Sequence, residues 1–184
     1  MDVMYKNCCG LDVHKKTIKA CMITGKDKEV LEFGTMTEDI LSLVDWIKEK
    51  QCECVAMEST SVYWKPIYNL LELEEISAMV VNAQHIKNVP GRKTDVKDSE
   101  WIADLLKHGL LRPSFIPSRD QRELRELVRY RRSIIQERTR EFARIEKVLE
   151  GANIKLASVV SSILTKSGRE MLNAIVNGVE SPEV

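Results

Sequence analysis

Apolar and polar positions alternate through the first 35 residues in a way that suits strands. Residues 6–13 form an apolar run closing on Asp12, and 17–24 alternate through Ile18, Ala20, Met22 and Thr24. Gly25-Lys26-Asp27-Lys28 supplies turn chemistry, and 29–35 alternate again through Val30, Leu31 and Phe33. Three strands on short turns predict an antiparallel meander. Thr37-Glu38-Asp39 then reads as a helix start, a hydroxyl cap followed by acids, with Ile40, Leu43, Val44 and Ile47 as its apolar stripe. Residues 52–57 form a short strand that stops at Glu58. Ser59-Thr60-Ser61 offers caps for a helix through Val62, Trp64, Ile67, Leu70 and Leu71, and Pro66 falls early enough in it to be tolerated. Residues 76–81 read as another buried strand, 82–94 as a loop rich in Lys and Arg, and Asp95 or Asp98 opens a helix through Trp101, Ile102, Leu105 and Leu106. The order βββαβαβα predicts an α/β architecture, a mixed sheet flanked by helices.

Beyond Pro113 and Pro117 the period changes. Residues 119–150 contain neither Gly nor Pro, and as one helix they reach about 48 Å. Leu124, Val128, Arg131, Ile135, Arg138, Phe142, Ile145 and Leu149 step by four and three, the spacing of a coiled-coil seam with two arginines inside it. Gly151 is the expected stop, with another helix expected within 152–163 and a short one to Val176. These breaks divide the chain into a domain over 1–116 and a helical segment over 117–184.

The chain has 184 residues, 43% of them apolar and 30% charged, with no apolar run near the roughly 20 residues that span a bilayer. The N-terminus lacks the pattern of a secretion signal, so a cytoplasmic protein with no membrane partner is expected. Cys8, Cys9, Cys21, Cys52 and Cys54 form no C-x-x-C pair and sit in strand-like runs, where small reduced thiols belong. His14, His85 and His108 show no metal-ligand spacing; His14 lies close to Asp12 and could reach a phosphate, although a surface or packing role is expected. A zero net charge hides a small asymmetry: residues 1–118 carry 15 Lys and Arg against 18 Asp and Glu, and residues 119–184 carry 13 against 10. A basic tail beyond an acidic body suits a polyanionic ligand.

Asp12, Glu58, Asp95 and Asp98 carry the chemistry. All four fall where strands stop or a helix begins, and such ends can converge on one point. Asp95 and Asp98 share one face of a helical turn. Oxygen-only ligands suit Mg²⁺ or Mn²⁺ rather than zinc, and two such ions about 4 Å apart are the common device for phosphodiester chemistry. The alternatives are helix caps and surface charges. Lys87, Arg92, Lys93 and Lys97 bring cations to the same end, suited to phosphates, with an ordinary solvated loop as the alternative. Tyr63, Trp64 and Tyr68 follow Glu58, where a ring can stack on a base, although core packing is expected for at least two. On the long helix, Arg131 and Arg138 weaken self-association unless a carboxylate or a phosphate meets them.

Four phrases carry a resemblance: GLDVHKKT, MESTSVYWKPIYNLLE, VNAQHIKNVPGRKTDVKDSEWIADLLKHGLLRPSFIP and LRELVRYRRSIIQERTREFARIEKVLE. Across nearly its whole length the chain resembles the N-terminal part of the DEDD transposases of bacterial insertion sequences, relatives of the pilin-gene invertases. The resemblance implies a ribonuclease-H-like fold of the Holliday-junction-resolvase type. It implies that Asp12, Glu58, Asp95 and Asp98 form a catalytic Mg²⁺ or Mn²⁺ site. It also implies DNA recombination directed by an element-encoded guide RNA, in homo-oligomers, with a serine nucleophile supplied by a second, C-terminal domain. Nothing here matches that domain, so the chain is expected to be truncated. Two rival readings stand beside this one: a non-catalytic nucleic-acid-binding and dimerising module, and a fragment of an actin-like or sugar-kinase-like ATPase, whose phosphate loop GLDVHKKT resembles. The ATPase needs a second, similarly folded half for which 184 residues leave no room.

Overall fold

A computed structural model describes residues 3–59, 61–89 and 98–179. The chain divides into two compact units, Met1–Ile116 and Pro117–Val184.

The first unit is built on five strands: β1 (Asn7–Val13), β2 (Ile18–Thr24), β3 (Asp27–Phe33), β4 (Cys54–Glu58) and β5 (Ala78–Val81), in the order β3-β2-β1-β4-β5. β1, β2 and β3 form the expected antiparallel meander, while β4 and β5 run parallel to β1. The β2–β3 connection is tighter than expected. Thr24 pairs with Asp27, leaving Gly25 and Lys26 as a two-residue turn in which Gly25 takes φ 61, a left-handed conformation that costs glycine little. This strand order and these directions, with helices on both faces, are the ribonuclease-H-like arrangement.

Strand alternation divides the apolar side chains between two cores. Cys9, Leu11, Val13, Ile18, Ala20, Met22, Val55 and Met57 face one side. There they meet α1 (Thr37–Glu49) through Leu43, Val44 and Ile47, and α2 (Trp64–Leu73) through Ile67 and Leu71. Cys8, Cys21, Ile23, Cys54, Ala56 and Val81 face the other, against α3 (Ala83–Asn88) and α4 (Asp98–Lys107) through Ile86, Ile102, Ala103, Leu105 and Leu106.

Two local expectations are corrected. Thr37 is not the cap of α1: Met36 holds that position, and the Asp39 carboxylate accepts its backbone N–H at 3.0 Å. The stretch expected as a loop from residue 82 includes a helix, because the Asn82 side chain accepts the Gln84 N–H at 2.8 Å and caps α3. Pro66 is the third residue of α2, where no intrahelical N–H is required.

The second unit contains α5 (Arg119–Gly151), α6 (Leu156–Val159) and α7 (Lys166–Val176). The long uninterrupted helix is present. Its stop lies beyond Gly151, which is still helical. Asn153 takes the left-handed turn at φ 58, its N–H donates to the Glu150 carbonyl at 3.0 Å, and the Ile154 N–H donates to the Leu149 carbonyl at 2.8 Å. That paired closure satisfies the last carbonyls with asparagine in glycine's customary place. The helix expected within 152–163 shrinks to the four residues of α6. Leu149, Leu156 and Ile163, with Phe142, Val160 and Leu172 beside them, form a small core. Leu124, Leu127, Val128, Tyr130 and Ile134 on α5 stay exposed.

Candidate metal centre

Asp12 is the penultimate residue of β1 and Glu58 the last of β4. The two strands are parallel neighbours whose pairing runs to Leu11 opposite Met57, so Asp12 and Glu58 follow at the same level. Alternation puts Asp12 on the face of Cys8 and Gly10, and Glu58 on the face of Cys54 and Ala56, away from Leu11 and Met57. Both therefore point to the side that α4 covers.

α4 runs against β1. A Cβ placed on Gly10 would stand 2.4 Å from the Ala103 nitrogen and 2.4 Å from the Ser99 carbonyl oxygen, and the Cys8 thiol donates to the Ala103 carbonyl at 3.7 Å. Only glycine permits an approach this close. The first turn of α4, with Asp98, then falls at the Asp12 end. Three of the four carboxylates expected to act together, Asp12, Glu58 and Asp98, thus share one end of one sheet face.

Electrostatics record that proximity. Burial lifts the Asp12 carboxyl above the ordinary carboxylate value, His14 opposes the rise, and the charges of Asp98 and Glu58 add to it. The His14 ring nitrogen Nε2 stands 3.1 Å from Asp12 Oδ2, and the Asp12 side chain is 15% exposed. Ser99, next to Asp98 in sequence, is 1% exposed and its hydroxyl has no hydrogen-bond partner among the described residues. A partly buried carboxylate under the charge of two others has the chemistry of a hard-cation site. Among the described residues, however, no three His, Cys, Asp or Glu side chains are gathered tightly enough to hold an ion.

The other expected site residues divide as follows. Asp95, Arg92, Lys93 and Lys97 lie outside the described residues, and Lys87 lies in α3. Arg131 and Arg138 are exposed on α5. Tyr63, Trp64 and Tyr68 pack against the α1/α2 core, Trp64 edge-on to Tyr68 with ring centroids 5.8 Å apart. The cysteines are free thiols, four buried and Cys52 half-buried. Gly10 went unread in the sequence, and His14 was expected only in a surface or packing role. Gly10 stands two residues before Asp12, the spacing that puts a strand glycine under the same helix. His14 stands two residues after it, the spacing that puts its ring on the Asp12 face.

The model of a transposase family, the IS110-type DEDD transposases, matches residues 9–154. The chain belongs to the DEDD transposase family. A curated family relative, the transposase for insertion sequence element IS1533 of Leptospira borgpetersenii, is 26% identical over 155 residues, 80% of this chain. The chain spans only 44% of that transposase's length. Among solved structures, T. thermophilus RuvC in complex with Holliday junction substrate aligns over 59% of this chain and 99% of its own, with 10% identity and a TM-score of 0.42. The strand order, not that loose overlap, carries the fold of this chain. No helix among its described residues is long and apolar enough to cross a membrane.

Proposed function

We propose that this chain is the metal-binding, nucleic-acid-cleaving part of an insertion-sequence transposase, acting on DNA during strand cleavage and exchange. Asp12, Glu58, Asp95 and Asp98 hold Mg²⁺ or Mn²⁺, which when bound stabilises negative charge on the scissile phosphate. Asp12 on the sheet and Asp98 on the helix would hold the ion, together with Glu58 and Asp95. Lys87, Arg92, Lys93 and Lys97 contact neighbouring phosphates. The attacking hydroxyl comes from outside this chain, in the remainder of the full-length transposase. The exposed seam of α5 joins copies of the chain, and Arg131 and Arg138 meet nucleic-acid phosphates there, guide RNA included. Location is cytoplasmic, in a bacterial cell.

One observation carries this reading. The Asp12 carboxyl, at the end of the sheet, is lifted by burial and, against the pull of His14, by the charges of Asp98 on α4 and Glu58 on β4, a repulsion that a shared cation relieves. Titration of Mn²⁺ into the chain and into Asp12→Asn, followed by heat, tests it. The reading requires saturable binding by the chain and its loss in the variant, and equal heats in both overturn it.

A non-catalytic nucleic-acid-binding module is the second reading, favoured by the absence of a closed ion cage among the described residues. Binding of DNA without any Mg²⁺-dependent nicking by the full-length transposase selects it.

A further inference from the structure

The turn that joins β1 to β2 lies at the Asp12 end of the sheet and carries a charge of one sign. From His14 to Lys19 the sequence is HKKTIK, with three lysines and no acid. The turn is held in shape: the His14 N–H donates to the Thr17 carbonyl at 2.9 Å, and the Thr35 hydroxyl donates to the Lys15 carbonyl at 3.1 Å. Lys15 and Lys16 are exposed on it.

Lys19 occupies a telling position. It is the register partner of Asp12 across the β1–β2 ladder and of Glu32 across β2–β3. Ile18 and Ala20 on either side point into the α1/α2 core, so Lys19 points to the face of Asp12. Opposite charges directly across an antiparallel pair ordinarily join. Here Asp12 takes His14 instead, and no ion pair joins Lys19 to Asp12 or Glu32. Elsewhere in the unit Lys28 pairs with Asp104, Lys48 with Glu74 and Lys50 with Glu29. Lys15, Lys16 and Lys19 have no carboxylate partner among the described residues. Ammonium groups kept clear of acids, on a fixed turn beside a carboxylate cluster, suit a polyanion running past that cluster.

We infer that Lys15, Lys16 and Lys19 form a phosphate-gripping wall for the DNA strand that lies across Asp12, Glu58 and Asp98. The inference rests on the proposed function and adds a nucleic-acid contact surface on the sheet, distinct from the one expected at Lys87–Lys97. The wall fixes where the backbone passes and reads no base, so its effect is uniform across sequences.

The test is fluorescence anisotropy of a labelled DNA duplex and of an RNA of the same sequence, titrated with the chain in Ca²⁺ at several KCl concentrations. Wild type is compared with Lys15→Gln/Lys16→Gln/Lys19→Gln and with a control, Lys6→Gln/Lys26→Gln/Lys48→Gln. The control lysines lie at the opposite end of the sheet. Lys6 and the β2–β3 turn adjoin, the Gly25 N–H donating to the Lys6 carbonyl at 2.9 Å, and the end of α1 lies against Asn7, whose amide reaches the Lys50 carbonyl at 3.5 Å. Each lost phosphate contact lowers the slope of log K against log salt by about 1, so the wall variant falls by about 2 to 3 and binds more weakly at every salt. The control keeps the wild-type slope, and circular dichroism melting confirms that both variants are folded. Equal slopes in wild type and wall variant overturn the inference, as does an equal loss in the control. If the wall variant still takes up Mn²⁺ with the wild-type heat, the carboxylate centre stands either way. A wild-type chain that binds neither nucleic acid overturns both readings. A lysine-dependent slope with RNA alone overturns DNA as the occupant.

Discussion

Replacing Gly10 with alanine plants a Cβ where α4 presses its backbone onto β1. The new atom stands 2.4 Å from the Ala103 nitrogen, 2.4 Å from the Ser99 oxygen and 2.9 Å from the Ala103 Cα. All three are backbone atoms, so no side chain can swing aside. Restoring ordinary contact requires α4 to back away by about 1 Å. A one-carbon overpacking of this kind costs about 1–3 kcal/mol, which in a chain of this size lowers the melting temperature by about 3–10 °C. The same retreat carries Asp98 away from Asp12, so Mn²⁺ affinity falls about tenfold or more. The matched control is Gly151→Ala, at a helical glycine with nothing within 4 Å of the added carbon, where stability rises by about 0.5–1 kcal/mol. Thermal melting and Mn²⁺ calorimetry on both variants decide the matter. A Gly10→Ala chain that melts and binds Mn²⁺ like wild type refutes the claim that this close approach places Asp98.

Three further outcomes follow from the same physics. In chelator at neutral pH, Asp12→Asn melts at or above the wild-type temperature, because the Asp12 carboxyl is raised in the folded state and its charge there opposes folding. The difference closes as pH falls through the folded value towards the unfolded one, and Mn²⁺ raises the melting temperature of wild type alone. Burial pushes the Cys8 and Cys52 thiols up to about 12 and Cys21 to about 11, so the four buried cysteines react with a thiol reagent only as fast as the fold opens, and half-buried Cys52 reacts slowly because little of it is thiolate. Their contribution to stability is complete below the ordinary thiol value near 9 and fades as pH rises through 11 to 12. An immediate thiol burst in native buffer would contradict this. Asn153→Val loses about 1–2 kcal/mol because a branched side chain resists φ 58, whereas Asn153→Gly is neutral or better. Urea midpoints followed by helix signal separate the two.

Much of the fold was legible because its signals are local and repeated. Alternation through Ile18, Ala20 and Met22 fixed both the strand and the face it buries, and the absence of Gly and Pro from 119–150 marked the long helix. What stayed hidden depends on groups that meet only after folding or compete at an element's end. Asp39 rather than Thr37 satisfies the start of α1, since a carboxylate three residues in can reach back to the Met36 N–H. Asn82 caps a helix inside a stretch whose Lys and Arg content reads as loop. Gly151 reads as a stop, yet the left-handed residue is Asn153. The positions of Asp12, Glu58 and Asp98 at strand and helix ends could be read one residue at a time. Their common face could not, because it requires the β1–β4 register and the glycine under α4. Lys19 was passed over for the same reason: its place opposite Asp12 exists only across a ladder.

β1 sits in the middle of the sheet, hydrogen-bonded to β2 on one edge and β4 on the other, and β4 is held likewise between β1 and β5. The two acids those strands carry are therefore bolted to an unyielding floor, whereas the third hangs from the opening turn of a helix, the part of a helix that loosens most easily. In the proposed metal site, a change in the grip on a cation works by lifting or lowering that ceiling, and a stabiliser of the floor alone leaves it unchanged.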